Sequence, residues 1–98
     1  MTLEVRVRPE AERDMIEAAS WYELQQPGLG REFLDEALAV FMRIADTPLG
    51  YELVHRSARR ALLRRFPFAV FYAFGEGVVL VVGVLHGSRH PRHWMRRP

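Results

Sequence analysis

Residues 84–98, VLHGSRHPRHWMRRP, concentrate the groups able to do chemistry. Three of the four histidines (His86, His90, His93) and four of the fourteen arginines lie there, around Trp94 and two prolines. Histidines at this spacing suit a metal-binding helix, but Gly87 and Pro91 interrupt any helix. No carboxylate adjoins them in the sequence to complete a ligand set, so no metal is expected. Ser88 lies beside His86 and His90, yet the acids that would orient a triad histidine lie elsewhere in the chain. Gly75 and Gly77 alone make a turn and not a phosphate loop, and nothing else points to a cofactor. His86, at the end of an apolar run, reads either as a hydrogen-bonded structural histidine or as a proton shuttle near neutral pH.

A basic surface with aromatics fits the residue types better. Arg59, Arg60, Arg64, Arg65, Arg89, Arg92, Arg96 and Arg97 can each grip a phosphate or carboxylate bidentately. Trp94 can stack on a base, although the burial habits of tryptophan favour docking of the tail onto the helices. Tyr72, in mid-strand, reads more readily as core than as site.

These groups need elements to position them. Residues 3–8, LEVRVR, alternate apolar and charged as a half-buried strand does, with Leu3, Val5 and Val7 facing the core. Pro9 suits the first turn of a helix, with Glu10, Glu12 and Asp14 near its positive end. Ala11, Met15, Ala18 and Tyr22 then recur at helical spacing, widened by Ile16 and Ala19. Pro27-Gly28 ends that helix. A second helix is predicted over 29–45 from Phe33, Leu34, Ala37, Leu38, Phe41, Ile44 and Ala45, closed by Pro48 and Gly50. The two should pair as an antiparallel hairpin. Residues 47–60 read as a connecting loop. The runs 61–66, 68–74 and 78–85 read as strands, with Pro67 at a boundary or bulge and Gly75-Glu76-Gly77 as a hairpin loop. The last run is apolar on both faces, which predicts a central strand. The order predicts an α+β fold: a strand, a helical hairpin, then a three-stranded run completing a small, mostly antiparallel sheet.

Composition sets the outer limits. Ninety-eight residues, 49% hydrophobic, suit one domain over 1–98 with a packed core. There is no cysteine, so disulfides and thiolate metal sites are excluded. There is no lysine either, which removes an amine base, a Schiff-base former and a point-charge phosphate ligand. The N-terminus shows no apolar signal segment, and the longest apolar run, 78–85, is far too short to span a membrane. A soluble cytoplasmic protein without a membrane partner is expected. Charge is divided along the chain. Residues 1–50 carry five arginines against ten acids, net −5, and residues 51–98 carry nine arginines against Glu52 and Glu76, net +7. Such asymmetry predicts an acidic or nucleic-acid partner for the second half, or else a dipolar domain with an acidic helical face and a basic sheet.

The run 59–97, RRALLRRFPFAVFYAFGEGVVLVVGVLHGSRHPRHWMRR, resembles the C-terminal half of RelE/ParE-superfamily toxins. The shared features are a basic strand, a Phe-Pro-aromatic turn and an apolar strand with a tyrosine. Another strand ending in histidine follows, and then an Arg-x-Pro-x-x-Trp element, here Arg89 to Trp94. The short first strand, WYE late in the first helix and GLGREFLDE opening the second also match. The resemblance implies the toxin of a type II toxin–antitoxin pair, of the plasmid-stabilisation type, neutralised by a cognate antitoxin. ParE-like members act on DNA gyrase, whereas RelE-like members cut mRNA in the ribosomal A site. Absence of lysine, and of any tyrosine after Tyr72, departs from the RelE pattern. The helical hairpin and the Arg-x-Pro-x-x-Trp ending look more ParE-like. A nuclease reading would use His86 with Arg65 and Arg89. A third alternative is a non-toxic member that only binds antitoxin. Target or antitoxin contacts are expected on Arg60, Arg64, Arg65, Tyr72, Arg89, Arg92, Trp94 and Arg96.

Overall fold

The computed structural model describes residues 3–87. The elements are β1 (Glu4–Val7), α1 (Pro9–Gln25), α2 (Leu29–Asp46), β2 (Glu52–His55), β3 (Ala58–Leu62), β4 (Phe68–Gly75) and β5 (Val78–His86). They build a five-stranded sheet in the order β1-β5-β4-β3-β2. β1 runs parallel to β5 and every other neighbour is antiparallel. The α+β fold expected from residue order is therefore the observed one, and β5 is an inner strand as its two-sided apolar character requires.

Pro9 opens α1 with Glu10 and Glu12 in its first turn, where the exposed N–H groups favour acids. Ala11, Met15, Ala18 and Ala19 are its buried face. Ile16, assigned to the stripe by spacing, is 62% exposed, and so is half of Leu38 on α2. Both sit at the outer margin of their helices, where a sheet on one side only leaves the edge of a wide stripe in water. Gly28, at φ 90°, turns the chain between the helices. The Glu23 carboxylate then accepts the N–H groups of Gly28 (2.9 Å) and Gly30 (3.0 Å), satisfying donors that no side chain of α2 itself caps.

The stretch 47–60, expected to be loop, instead contains β2 and the start of β3, joined through Arg56 at φ 48°. Its short edge strand, ELVH, has little periodicity to read. The run 61–66 is likewise corrected, because the β3 ladder stops at Leu62 and residues 64–67 form a turn. Pro67 lies in that turn, at a strand boundary. Gly77 at φ 75° and Glu76 at φ 52° make the β4–β5 hairpin turn, a left-handed pair of the kind that matches strand twist.

The core lies between the helices and one sheet face, where Phe33, Ile44, Val70, Tyr72, Val79, Val81 and Val84 are essentially fully buried. A β-bulge explains how β5 supplies both Val81 and Val84 to that face. Phe71 pairs with Gly83 but Tyr72 pairs with Val81, so Val82 is the extra residue and the alternation changes phase. A smaller cluster of Ala58, Ala69 and Phe71, flanked by Val54, Val82 and Leu85, occupies the other face.

Candidate binding surface

The described arginines of the site meet the helices at the β3–β4 turn. Phe33 of α2 lies 5.3 Å from the Phe66 ring and 5.1 Å from the Phe68 ring, both edge-on. Tyr22 of α1 stacks on Phe33 at 5.5 Å and meets Phe66 at 4.8 Å. Each such aromatic pair adds about 0.5–1.5 kcal/mol beyond its burial, so the turn stands on a rigid base. Leu63 N–H donates to Phe68 O (2.9 Å), and Gly87 N–H donates to Pro67 O (2.8 Å), which stitches the end of β5 to the turn.

Two carboxylates of α2, one helical turn apart, hold the basic residues. Glu36 Oε2 accepts the backbone N–H groups of both Arg64 (2.5 Å) and Arg65 (3.1 Å). Those bonds draw the chain off the ladder after Leu62. The Glu32 carboxylate accepts the Arg65 guanidinium at 2.5 Å, a hydrogen bond and charge contact that raise the arginine's pKa further above its ordinary value. Arg65 also lies 5.6 Å from the centre of the Phe66 ring. Arg64 is exposed, and its guanidinium makes no hydrogen bond or ion pair among the described residues. An open groove of about 430 Å³ runs beside the turn, lined by residues 62–68 with His86 and Gly87.

The other arginines are more committed. Arg60 donates through Nη2 to Glu52 (2.6 Å) and through Nη1 to Gly87 O (3.4 Å), while its buried Nε has no partner among the described residues. Arg59 donates to Tyr51 O at 2.7 Å. Among the described residues the ion pair that joins the acidic half of the chain to the basic half is Arg65 with Glu32.

Tyr72 has to be removed from the binding set. It is 0% exposed, beneath the helices, and its hydroxyl donates to Pro48 O at 2.5 Å. Burial pushes its phenol above the ordinary tyrosine pKa. His86 is exposed at the end of β5, with its ring 5.9 Å from that of Phe68. Sequence proximity suggested that no carboxylate accompanies it. The fold overturns this, because Asp14 and Glu17 of α1 line a second groove, of about 340 Å³, together with His86. Asp14 Oδ2 accepts the Val84 N–H at 3.0 Å, fixing α1 to β5. No cluster of three metal-ligating side chains occurs among the described residues. Arg89, Arg92, Trp94, Arg96 and the remaining tail residues lie outside the described residues. Sequence reasoning missed Glu32 and Glu36; their i,i+4 spacing on the polar flank of α2 was the only signal available.

A family model described as the ParE toxin of the type II toxin–antitoxin system, parDE, matches residues 5–91. Among solved structures the chain is similar to a chromosomal ParDE toxin–antitoxin system from P. aeruginosa. That likeness has a TM-score of 0.77 at 11% identity and covers 87% of this chain and 96% of the other. It is also similar to a chain of the toxin–antitoxin complex RelBE2 from Mycobacterium tuberculosis, with a TM-score of 0.59 at 19% identity over 88% and 99% of the two chains. At these identities the structural likeness speaks for the fold. No curated protein matches the sequence. No helix among the described residues is long and apolar enough to cross a membrane.

Proposed function

The chain belongs to the ParE toxin family of type II toxin–antitoxin systems, and from that premise we propose that it inhibits DNA gyrase in the cytoplasm and is neutralised by a cognate antitoxin. The observation that carries gyrase over mRNA as the target is the state of the would-be nuclease set. Cleavage by a ribose 2′-hydroxyl needs a base, an acid and a cation free to stabilise the phosphorane. Arg65 already has its guanidinium on Glu32, and Tyr72 is buried on Pro48. The chain has no lysine and no tyrosine after Tyr72, so the proton-transfer groups of the RelE pattern are missing; of the two carboxylates that line a groove with His86, Asp14 already accepts the Val84 N–H.

The antitoxin reading draws on charge and shape. Arginines at the sheet's end beside an apolar groove suit an acidic, amphipathic partner segment. The two solved relatives are themselves toxin–antitoxin systems.

Expression without antitoxin, followed by a supercoiling assay with purified gyrase, tests the target. Growth arrest with filamentation and loss of supercoiling are expected, and His86→Ala should inhibit gyrase as the parent does. Rapid translation arrest with cleaved mRNA, abolished by His86→Ala, would replace the gyrase reading with the nuclease one. Absence of any arrest would identify an antitoxin-binding member without toxicity.

A further inference from the structure

Along β3 and the β3–β4 turn, three arginines already have partners: Arg59 on backbone carbonyls, Arg60 on Glu52 and Arg65 on Glu32. Arg64 differs. Its side chain projects from the turn without a hydrogen bond or ion pair among the described residues, yet its backbone is among the most firmly held in the corner. The holder is Glu36, whose one oxygen takes two successive N–H groups. Two consecutive N–H groups converging on one oxyanion fix the direction in which the side chain between them leaves the turn.

Beside Arg64 the groove offers Leu62, Leu63, Phe66 and Phe68, with Leu62 60% exposed. Glu32 and Glu36 of α2 stand against the turn, and Asp14 and Glu17 line the adjoining groove that shares Phe68 and His86. This acidic setting opposes a nucleic-acid backbone, whose charges are dense and continuous. It tolerates one carboxylate delivered next to an apolar side chain, as a protein segment can do.

We propose that Arg64 is a binding residue for the antitoxin, gripping a carboxylate of its acidic segment while a neighbouring apolar side chain enters the groove, and that Glu36 is the positioning residue for Arg64. The assignment rests on the antitoxin reading above and adds the residues that carry it. Glu36 touches no partner; it acts through the turn.

A double-mutant cycle on antitoxin affinity tests the assignment, using the intact toxin and the antitoxin encoded with it. Arg64→Ala should weaken binding on the order of ten- to a hundredfold, the range of a charge-assisted hydrogen bond, and reduce the salt dependence of the affinity. Glu36→Ala should weaken it comparably, and the double variant should be no weaker than the poorer single one. Glu36→Gln keeps an acceptor oxygen and should restore most of the affinity lost in Glu36→Ala. Thermal melts of each variant separate loss of fold from loss of binding. Additive losses, or unchanged affinity in Arg64→Ala, would overturn the proposal. So would an Arg64→Ala variant that binds antitoxin normally but no longer inhibits gyrase, because the corner would then face the target. If the unmutated toxin binds no antitoxin at all, the broader functional reading fails first.

Discussion

At the scale of single residues, the clearest case is Tyr72. In the sequence it is a strand tyrosine in a basic half, a plausible contact for a partner. In the fold its ring is part of the core and its hydroxyl is anchored on Pro48, which ties the loop after α2 to β4. Tyr72→Phe should therefore cost about 1 kcal/mol in a denaturant unfolding experiment and leave antitoxin affinity unchanged. Its raised pKa has a definite sign. The unfolded chain ionises its tyrosines at a lower pH than the folded one, so the stability contributed by keeping this phenol neutral is complete below the unfolded pKa and is lost as pH rises through the folded value. Tyr22, raised by burial as well, acts in the same direction. Stability should fall in the alkaline range, with tyrosinate absorbance appearing alongside loss of helix signal. Tyrosinate formation at the ordinary pKa with full retention of structure would contradict this.

Among elements, the helical hairpin is held by a closer contact than its apolar stripe suggests. A Cβ on Gly30 would lie 2.5 Å from the carbonyl oxygen of Ala19 and 3.0 Å from the Glu23 carboxylate that caps α2. Backbone cannot yield as a side-chain tip can, so Gly30→Ala should destabilise the protein by about 1–3 kcal/mol despite alanine's better helix propensity. A melting temperature lower by several degrees is the expected reading, and an unchanged or higher one would show that the helices separate at little cost. The elements were unequally legible. The two helices could be placed because each is amphipathic over four turns or more. β2 could not, since an exposed edge strand of four residues has no hydrophobic alternation to display. The end of β3 was misplaced for another reason: Ala61 to Phe66 looks like a strand, but Glu36, far away in the sequence, takes the N–H groups that a ladder would have used.

For the molecule as a whole, charge is the property that the sequence states most plainly and the fold most alters. Two acids of the first half, Glu32 and Glu36, sit against Arg65 of the second, so the field at that corner is smaller than the two net values imply. The tail carries four arginines; replacing Arg89, Arg92, Arg96 and Arg97 by glutamine takes the net charge from +2 to −2. Association with an acidic antitoxin should then slow and lose much of its ionic-strength dependence, measured by stopped-flow mixing across a salt series. An unaltered salt slope would place the steering charge on the sheet's corner alone. Composition and periodicity by themselves determined the fold class, the helical hairpin and the inner position of β5, because those features depend on residue types repeated over long stretches; the toxin family came from the resemblance of its motifs to known members. Tertiary structure alone decided which arginines are spent on internal partners, that the Tyr72 hydroxyl is anchored on Pro48 and that α1 carboxylates stand beside His86. The contacts of Tyr72 with Pro48, of Arg65 with Glu32 and of Val84 with Asp14 join residues 24, 33 and 70 positions apart, and no local pattern in the chain encodes such a distance.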